Sequence, residues 1–148
     1  MSKALKEEYI IRIKSRIDQD GQDLQEVELM TRGSFLLRNG SYYITYKETE
    51  TTGYAGCVTT IKLAADSSRV AMLRYGTART QLIIEKGRRN LCHYETGYGS
   101  MTLGVTADEI VCGLTEKGGT ARFSYLLDAD SNAMISRNTL ELTICHVN

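Results

Sequence analysis

Asn39-Gly40 stands between two runs rich in apolar, β-branched and aromatic residues, Gly33 to Arg38 and Ser41 to Lys47. A dipeptide of that kind in that setting is the strongest short-range signal for a two-residue β-hairpin. A type I′ turn needs φ > 0 at both central positions, which Asn tolerates and Gly adopts at no steric cost. The short loop fixes the register, so that Leu37 opposes Tyr42, Phe35 opposes Ile44 and Gly33 opposes Tyr46, all on one face of the ribbon. That face is the core face. Its far end carries Tyr46 and Glu48, so an apolar wall runs out into a phenol and a carboxylate.

The rest of the chain repeats this strand-turn rhythm. Lys6 to Ile17 alternates, with Tyr9, Ile11, Ile13 and Ile17 on one side and Arg12, Lys14 and Arg16 on the other, the pattern of a long half-buried strand. The basic side lacks the aromatics that would stack bases, so it reads as a solvated, edge-protecting face. Asp18-Gln19-Asp20-Gly21 turns the chain, and Val27, Leu29 and Thr31 lead into the hairpin. Beyond the polar stretch Thr49 to Gly56, the set Cys57, Thr59, Ile61 and Leu63 predicts the next inward face. Arg69 to Tyr75 is apolar on both parities, so periodicity leaves its facing open. Further turns are predicted at Gly76-Thr77-Ala78, at Gly87-Arg88-Arg89-Asn90 and at Ala107-Asp108-Glu109, with a bend at Gly97-Tyr98-Gly99 and a glycine hairpin at Lys117-Gly118-Gly119-Thr120. Phe123, Tyr125 and Leu127 alternate before a loop at Asp128 to Asn132, and Leu140, Leu142, Ile144 and His146 close the chain as a strand.

Short strands at roughly ten-residue spacing, with tight turns and almost no helical period, predict an all-β antiparallel up-and-down meander closed into a barrel of about eight to ten strands. Closure is favoured over a sandwich because it removes the edges that such sequence would expose. The 148 residues make one domain. The chain has no proline, so its thirteen glycines and its Asn, Asp, Ser and Thr must make every reversal.

Eighteen basic and eighteen acidic residues cancel, which argues against a dedicated nucleic-acid binder. No apolar run is long enough for a membrane span, and the start lacks the apolar core of a signal peptide, so a cytoplasmic location is expected. Cys57, Cys92, Cys112 and Cys145 lie far apart in strand-like runs and are expected to be free, buried thiols. Asp128 to Asn132 resembles the opening of a calcium loop, but Ala133 and Thr139 stand where a glycine and a bidentate glutamate belong, so no metal is assigned there. The pairs Cys92-His93 and Cys145-His146 point to opposite sheet faces and do not converge on zinc. No motif announces a catalytic residue or a cofactor.

What remains is a polar set at strand ends: Tyr46, Glu48, Arg74, Tyr94 and Tyr125, with Thr96 beside Tyr94. Arginine inside a barrel must be paired, and Glu48 is the expected partner. The set is either an internal network that fixes register or a polar anchor for a small molecule in a barrel mouth.

The segments Tyr42 to Glu48, Leu73-Arg74-Tyr75-Gly76, Tyr94 to Gly99 and Phe123 to Leu127, in that order and spacing, resemble the YwiB-like family of small bacterial β-barrel proteins of unknown function. The resemblance covers Gly33 to Leu127 and, more loosely, the last strand. It implies a lipocalin- or calycin-like barrel and a bacterial, cytoplasmic setting, and it implies no activity and no catalytic residue. The expected function is a non-enzymatic small-ligand binder, with an interaction or regulatory module using the outer surface as the alternative and an enzyme third.

Overall fold

The computed structural model describes residues 8–19, 22–50, 54–96, 99–130 and 133–147, apart from the side chains at 96, 130, 133 and 134. Ten antiparallel strands follow one another: β1 (Tyr9–Asp18), β2 (Gln25–Arg38), β3 (Ser41–Lys47), β4 (Val58–Ala64), β5 (Arg69–Tyr75), β6 (Thr80–Glu85), β7 (Arg89–Thr96), β8 (Gly99–Thr115), β9 (Gly118–Asp130) and β10 (Ala133–His146). Each pairs with its neighbours in sequence, and β1 pairs with β10, so the meander closes into a barrel without a crossover. Among the described residues no helix is long and apolar enough to cross a membrane.

The β2–β3 hairpin sets the frame. Asn39 and Gly40 adopt φ of 51° and 77°, as a type I′ turn requires, and the register pairs Leu37 with Tyr42, Phe35 with Ile44 and Gly33 with Tyr46. The inward side chains Phe35, Tyr42, Ile44 and Tyr46 are buried, while Leu37, next to the turn, stays 38% exposed. No atom lies within 4 Å of a Cβ placed on Gly40. A replacement there therefore meets backbone strain alone, and Gly40→Val should cost at least about 1 kcal/mol. An unchanged urea midpoint would show that the turn does not hold the register.

Inward parity continues around the barrel through Ile61 and Leu63 on β4, Val70 and Met72 on β5, and Leu82 and Ile84 on β6, all buried. This settles β5, whose inward side chains are Val70, Met72 and Arg74. On β1 the basic face points out. Lys14 and Arg16 both pair with Glu26 on β2, at 3.2 and 3.1 Å, so β2 supplies the counter-charge of that stripe.

Four predicted reversals are corrected. Ala107-Asp108-Glu109 is no turn, because β8 runs unbroken from Gly99 to Thr115 with a bulge between Ala107 and Glu109. The extra residue switches the inward set from Leu103 and Val105 to Ile110 and Leu114, and a parity switch with two outward acids looks like a break in a sequence. The glycine hairpin reverses at Glu116-Lys117, and Gly118 and Gly119 already belong to β9. At 87–90 the chain reverses at Lys86-Gly87, and Arg89 opens β7, where its guanidinium forks onto the Asp128 carboxylate. The same pairing places Asp128 inside β9, which extends to Asp130 rather than ending at Leu127. The predicted sites at Gly21, Gly97-Tyr98 and Ser131-Asn132 lie outside the described residues.

The four thiols are unpaired, but they are not uniformly buried: Cys57 and Cys92 are buried, Cys112 is half-buried and Cys145 is exposed. Cys145 pairs with Ile10 and Gly118 on the outward parity of β10, which strand-like context alone could not reveal. Cys92 takes a structural part. Between β6 and β7 only Thr80–Tyr94 and Gln81–His93 pair regularly, and beyond them the Ile83 N–H donates to Cys92 Sγ at 3.3 Å while Asn90 Nδ2 donates to the Ile83 carbonyl at 3.2 Å. Side chains thus stand in for ladder bonds beyond the two regular pairs, and burial pushes the Cys92 thiol pKa up. Alkylation without reductant should label Cys145 first and Cys57 and Cys92 only on unfolding, four thiols in all. A count below four would contradict free cysteines.

Candidate functional site

The C-terminal ends of β1, β3, β5, β7 and β9 lie at one end of the barrel, opposite the Asn39-Gly40 turn. Cross-strand register places a row of inward side chains at this end. Tyr46 on β3 pairs with Thr59 on β4, Thr59 with Arg74 on β5, Arg74 with Thr80 on β6, Thr80 with Tyr94 on β7, and Tyr94 with Met101 on β8. From the other side of the barrel, Tyr125 on β9 pairs with Asn138 on β10. All five residues expected from the sequence, Tyr46, Glu48, Arg74, Tyr94 and Tyr125, line one cavity of about 170 Å³ at this end. Thr96 pairs with Gly99 at the barrel rim, and its side chain lies outside the described ones.

The polar centre is Arg74 with Glu48. Glu48 follows β3, and its N–H donates to the Cys57 carbonyl at 2.8 Å, which extends the β3–β4 ladder one step and aims the carboxylate inward. Arg74 Nη2 lies 3.3 Å from Glu48 Oε1, with side chains 13% and 1% exposed. Thr59 joins them, its hydroxyl donating to Glu48 Oε1 at 2.7 Å and accepting from Arg74 Nε at 3.2 Å. Burial first, then the neighbouring Glu48 carboxylate, raises the Tyr46 pKa far above the usual phenol range. The guanidinium also stacks on the Tyr54 ring, 3.8 Å from its centroid, a cation–π contact.

Tyr94 and Tyr125 line the cavity from β7 and β9. Burial pushes Tyr94 up to about 12 and Tyr125 well above the ordinary value, so both stay protonated near neutrality. Asn138 Nδ2 is held by Ser136 Oγ at 2.9 Å. The apolar part of the lining comes from β1, β2, β5 and β10, through Ile13, Leu29, Met72 and Leu140 among others.

Four contributors escaped the sequence reading. Thr59 was legible as inward by alternation but not as a bridge. Asn138 sits in a strand whose start was read too late. Thr80, 2% exposed, carries the one buried side-chain hydroxyl without a partner among the described residues, and Tyr54 reaches Arg74 from a loop, where no periodicity applies. Among the described residues no three His, Cys, Asp or Glu side chains cluster as a metal site would require.

Comparison with known proteins agrees with the architecture. Residues 11–142 match the model of a family described as "Domain of unknown function (DUF1934)". A search of the curated proteins gave no match. Among solved structures, the ywiB protein from Bacillus subtilis is similar over 98% of this chain and 96% of its own, with a TM-score of 0.75 and 21% identity, a likeness that shows the fold.

Proposed function

Since the chain belongs to the DUF1934 family of domains of unknown function, which supplies an architecture and no chemistry, we propose from the site itself that the protein binds a small molecule in the polar end of its barrel. The observation that carries this reading is the convergence of Arg74, Tyr94 and Tyr125 on one cavity whose lining also includes the apolar side chains of Ile13, Leu29, Met72 and Leu140. A few fixed polar groups facing an apolar wall are the usual make-up of a ligand pocket, and small up-and-down barrels of the lipocalin kind hold one small ligand in this way.

Glu48 is the support and Arg74 the presenting group. The carboxylate is the more deeply buried of the two and fixes the guanidinium from behind, while Tyr54 fixes its plane. The Nη1 atom of Arg74 has no hydrogen-bond acceptor among the described residues. The alternative, an interaction module, draws less support. Its exposed apolar candidates Met30 and Leu36 on β2, Leu91 on β7 and Val111 on β8 are spread over the surface, as single exposed apolar residues ordinarily are. Four unpaired thiols support a reducing compartment, and the likeness to a Bacillus subtilis protein supports a bacterial one.

Native mass spectrometry of protein purified without refolding tests the proposal. The expected spectrum carries a satellite above the chain mass that collapses to the bare chain on collisional activation, and the Arg74→Met protein lacks it. Bare chain in every preparation, with no uptake of added small aromatic compounds, would contradict ligand binding.

A further inference from the structure

Resting on the small-molecule reading above, we propose that the guest is an uncharged, ring-sized molecule carrying a carbonyl-type acceptor, and that the cavity rejects the carboxylate of the same shape. Two independent features lead there. One is the charge balance. Glu48 already cancels Arg74 at 3.3 Å, with both side chains largely withdrawn from water, and burial holds Tyr46, Tyr94 and Tyr125 in their neutral form. The remaining lining cation, Arg16, is 45% exposed and occupied by Glu26, so its charge is spent in solvent at the rim. A carboxylate would add a second negative charge beside a guanidinium that Glu48 has already claimed, and would surrender its own hydration to do so.

The other feature is the hydrogen-bond inventory. Thr59 directs its hydroxyl hydrogen to Glu48. The Tyr94 and Tyr125 hydroxyls line the same cavity, and a phenol keeps its O–H donor at neutral pH. With the Nη1 hydrogens of Arg74, the cavity therefore holds surplus donors, which a carbonyl oxygen with two lone pairs satisfies without bringing charge. The apolar lining of Ile13, Leu29, Met72 and Leu140 asks for an apolar body, and the cavity sets its size. Its volume of about 170 Å³ is close to that of cavities known to admit a benzene ring, about 150 Å³.

Benzamide, benzoate and benzene share the ring and differ at the head, so they separate the possibilities. Dissociation constants come from NMR titration of isotope-labelled protein at neutral pH. Benzamide should bind at least about tenfold more tightly than benzoate, a difference of about 1.4 kcal/mol. In Glu48→Gln, which uncovers the Arg74 charge, the ratio should fall or invert. Benzoate binding as tightly as benzamide in the unmodified protein would overturn the neutral class and leave ligand binding standing, and an unchanged ratio in a folded Glu48→Gln protein would overturn the charge-balance basis. Should that variant fail to fold, the ratio in the unmodified protein decides. No binding of any of the three would remove the ligand reading together with this inference.

Discussion

Arg74→Met and Glu48→Gln should each destabilise the barrel by about 3 kcal/mol, whereas the double replacement should lie within about 1 kcal/mol of the parent. Each single change leaves one buried charge without its partner. Arg74→Met strands the carboxylate among Thr59 and Tyr46, and Glu48→Gln strands a guanidinium whose side chain is only 13% exposed. Removing both charges removes the desolvation penalty along with the attraction. Urea midpoints at constant slope give the three values. Strict additivity, or single effects below about 0.5 kcal/mol as for exposed pairs, would show that the two side chains do not act as a pair.

Gly33→Ala should cost about 2–3 kcal/mol, at the upper end of overpacking effects. Gly33 pairs with Tyr9 on β1 and Tyr46 on β3, and a Cβ there would collide with Ile11 Cδ1 and with the Thr45 carbonyl oxygen. The glycine serves close approach, since its φ lies outside the left-handed range and any residue could adopt its backbone. Ile11→Val removes the Cδ1 atom. Alone it should cost about 1 kcal/mol, and in the Gly33→Ala background it should recover part of the loss. An unchanged midpoint for Gly33→Ala would mean that β1, β2 and β3 pack less closely at this point than the structure has them. A loss with no recovery would assign the effect to the Thr45 carbonyl.

The legible parts of this protein are those governed by local backbone chemistry and period-two alternation. Asn39-Gly40 determined a turn type, and the turn determined the register of six residue pairs. The strand-turn rhythm implied closure, and the ends of apolar runs located Tyr46, Glu48, Arg74, Tyr94 and Tyr125 at one barrel end. Where the reading failed, a non-local effect intervened. The facing of β5 could not be read because Ala71 and Leu73 are as apolar as Val70 and Met72; it depends on pairing with β4 and β6. The bulge at Ala107–Glu109 imitated a turn because it reversed parity within one strand. Tyr54, the residue that stacks on Arg74, comes from a loop and owes its place to the fold around it.

Met72 offers the most direct test that the barrel admits a molecule at its polar end, because its side chain lines the cavity while that of Met30 is exposed on the outside of β2. With methionine methyl groups labelled with carbon-13, benzamide is titrated into the folded protein and the methyl resonances are followed. Saturable movement of the Met72 resonance, with Met30 unmoved, is the expected result, and its loss in Arg74→Met would tie the guest to the guanidinium. A Met72 resonance that stays fixed throughout the titration, or that moves only in step with Met30, would contradict a binding cavity inside this barrel.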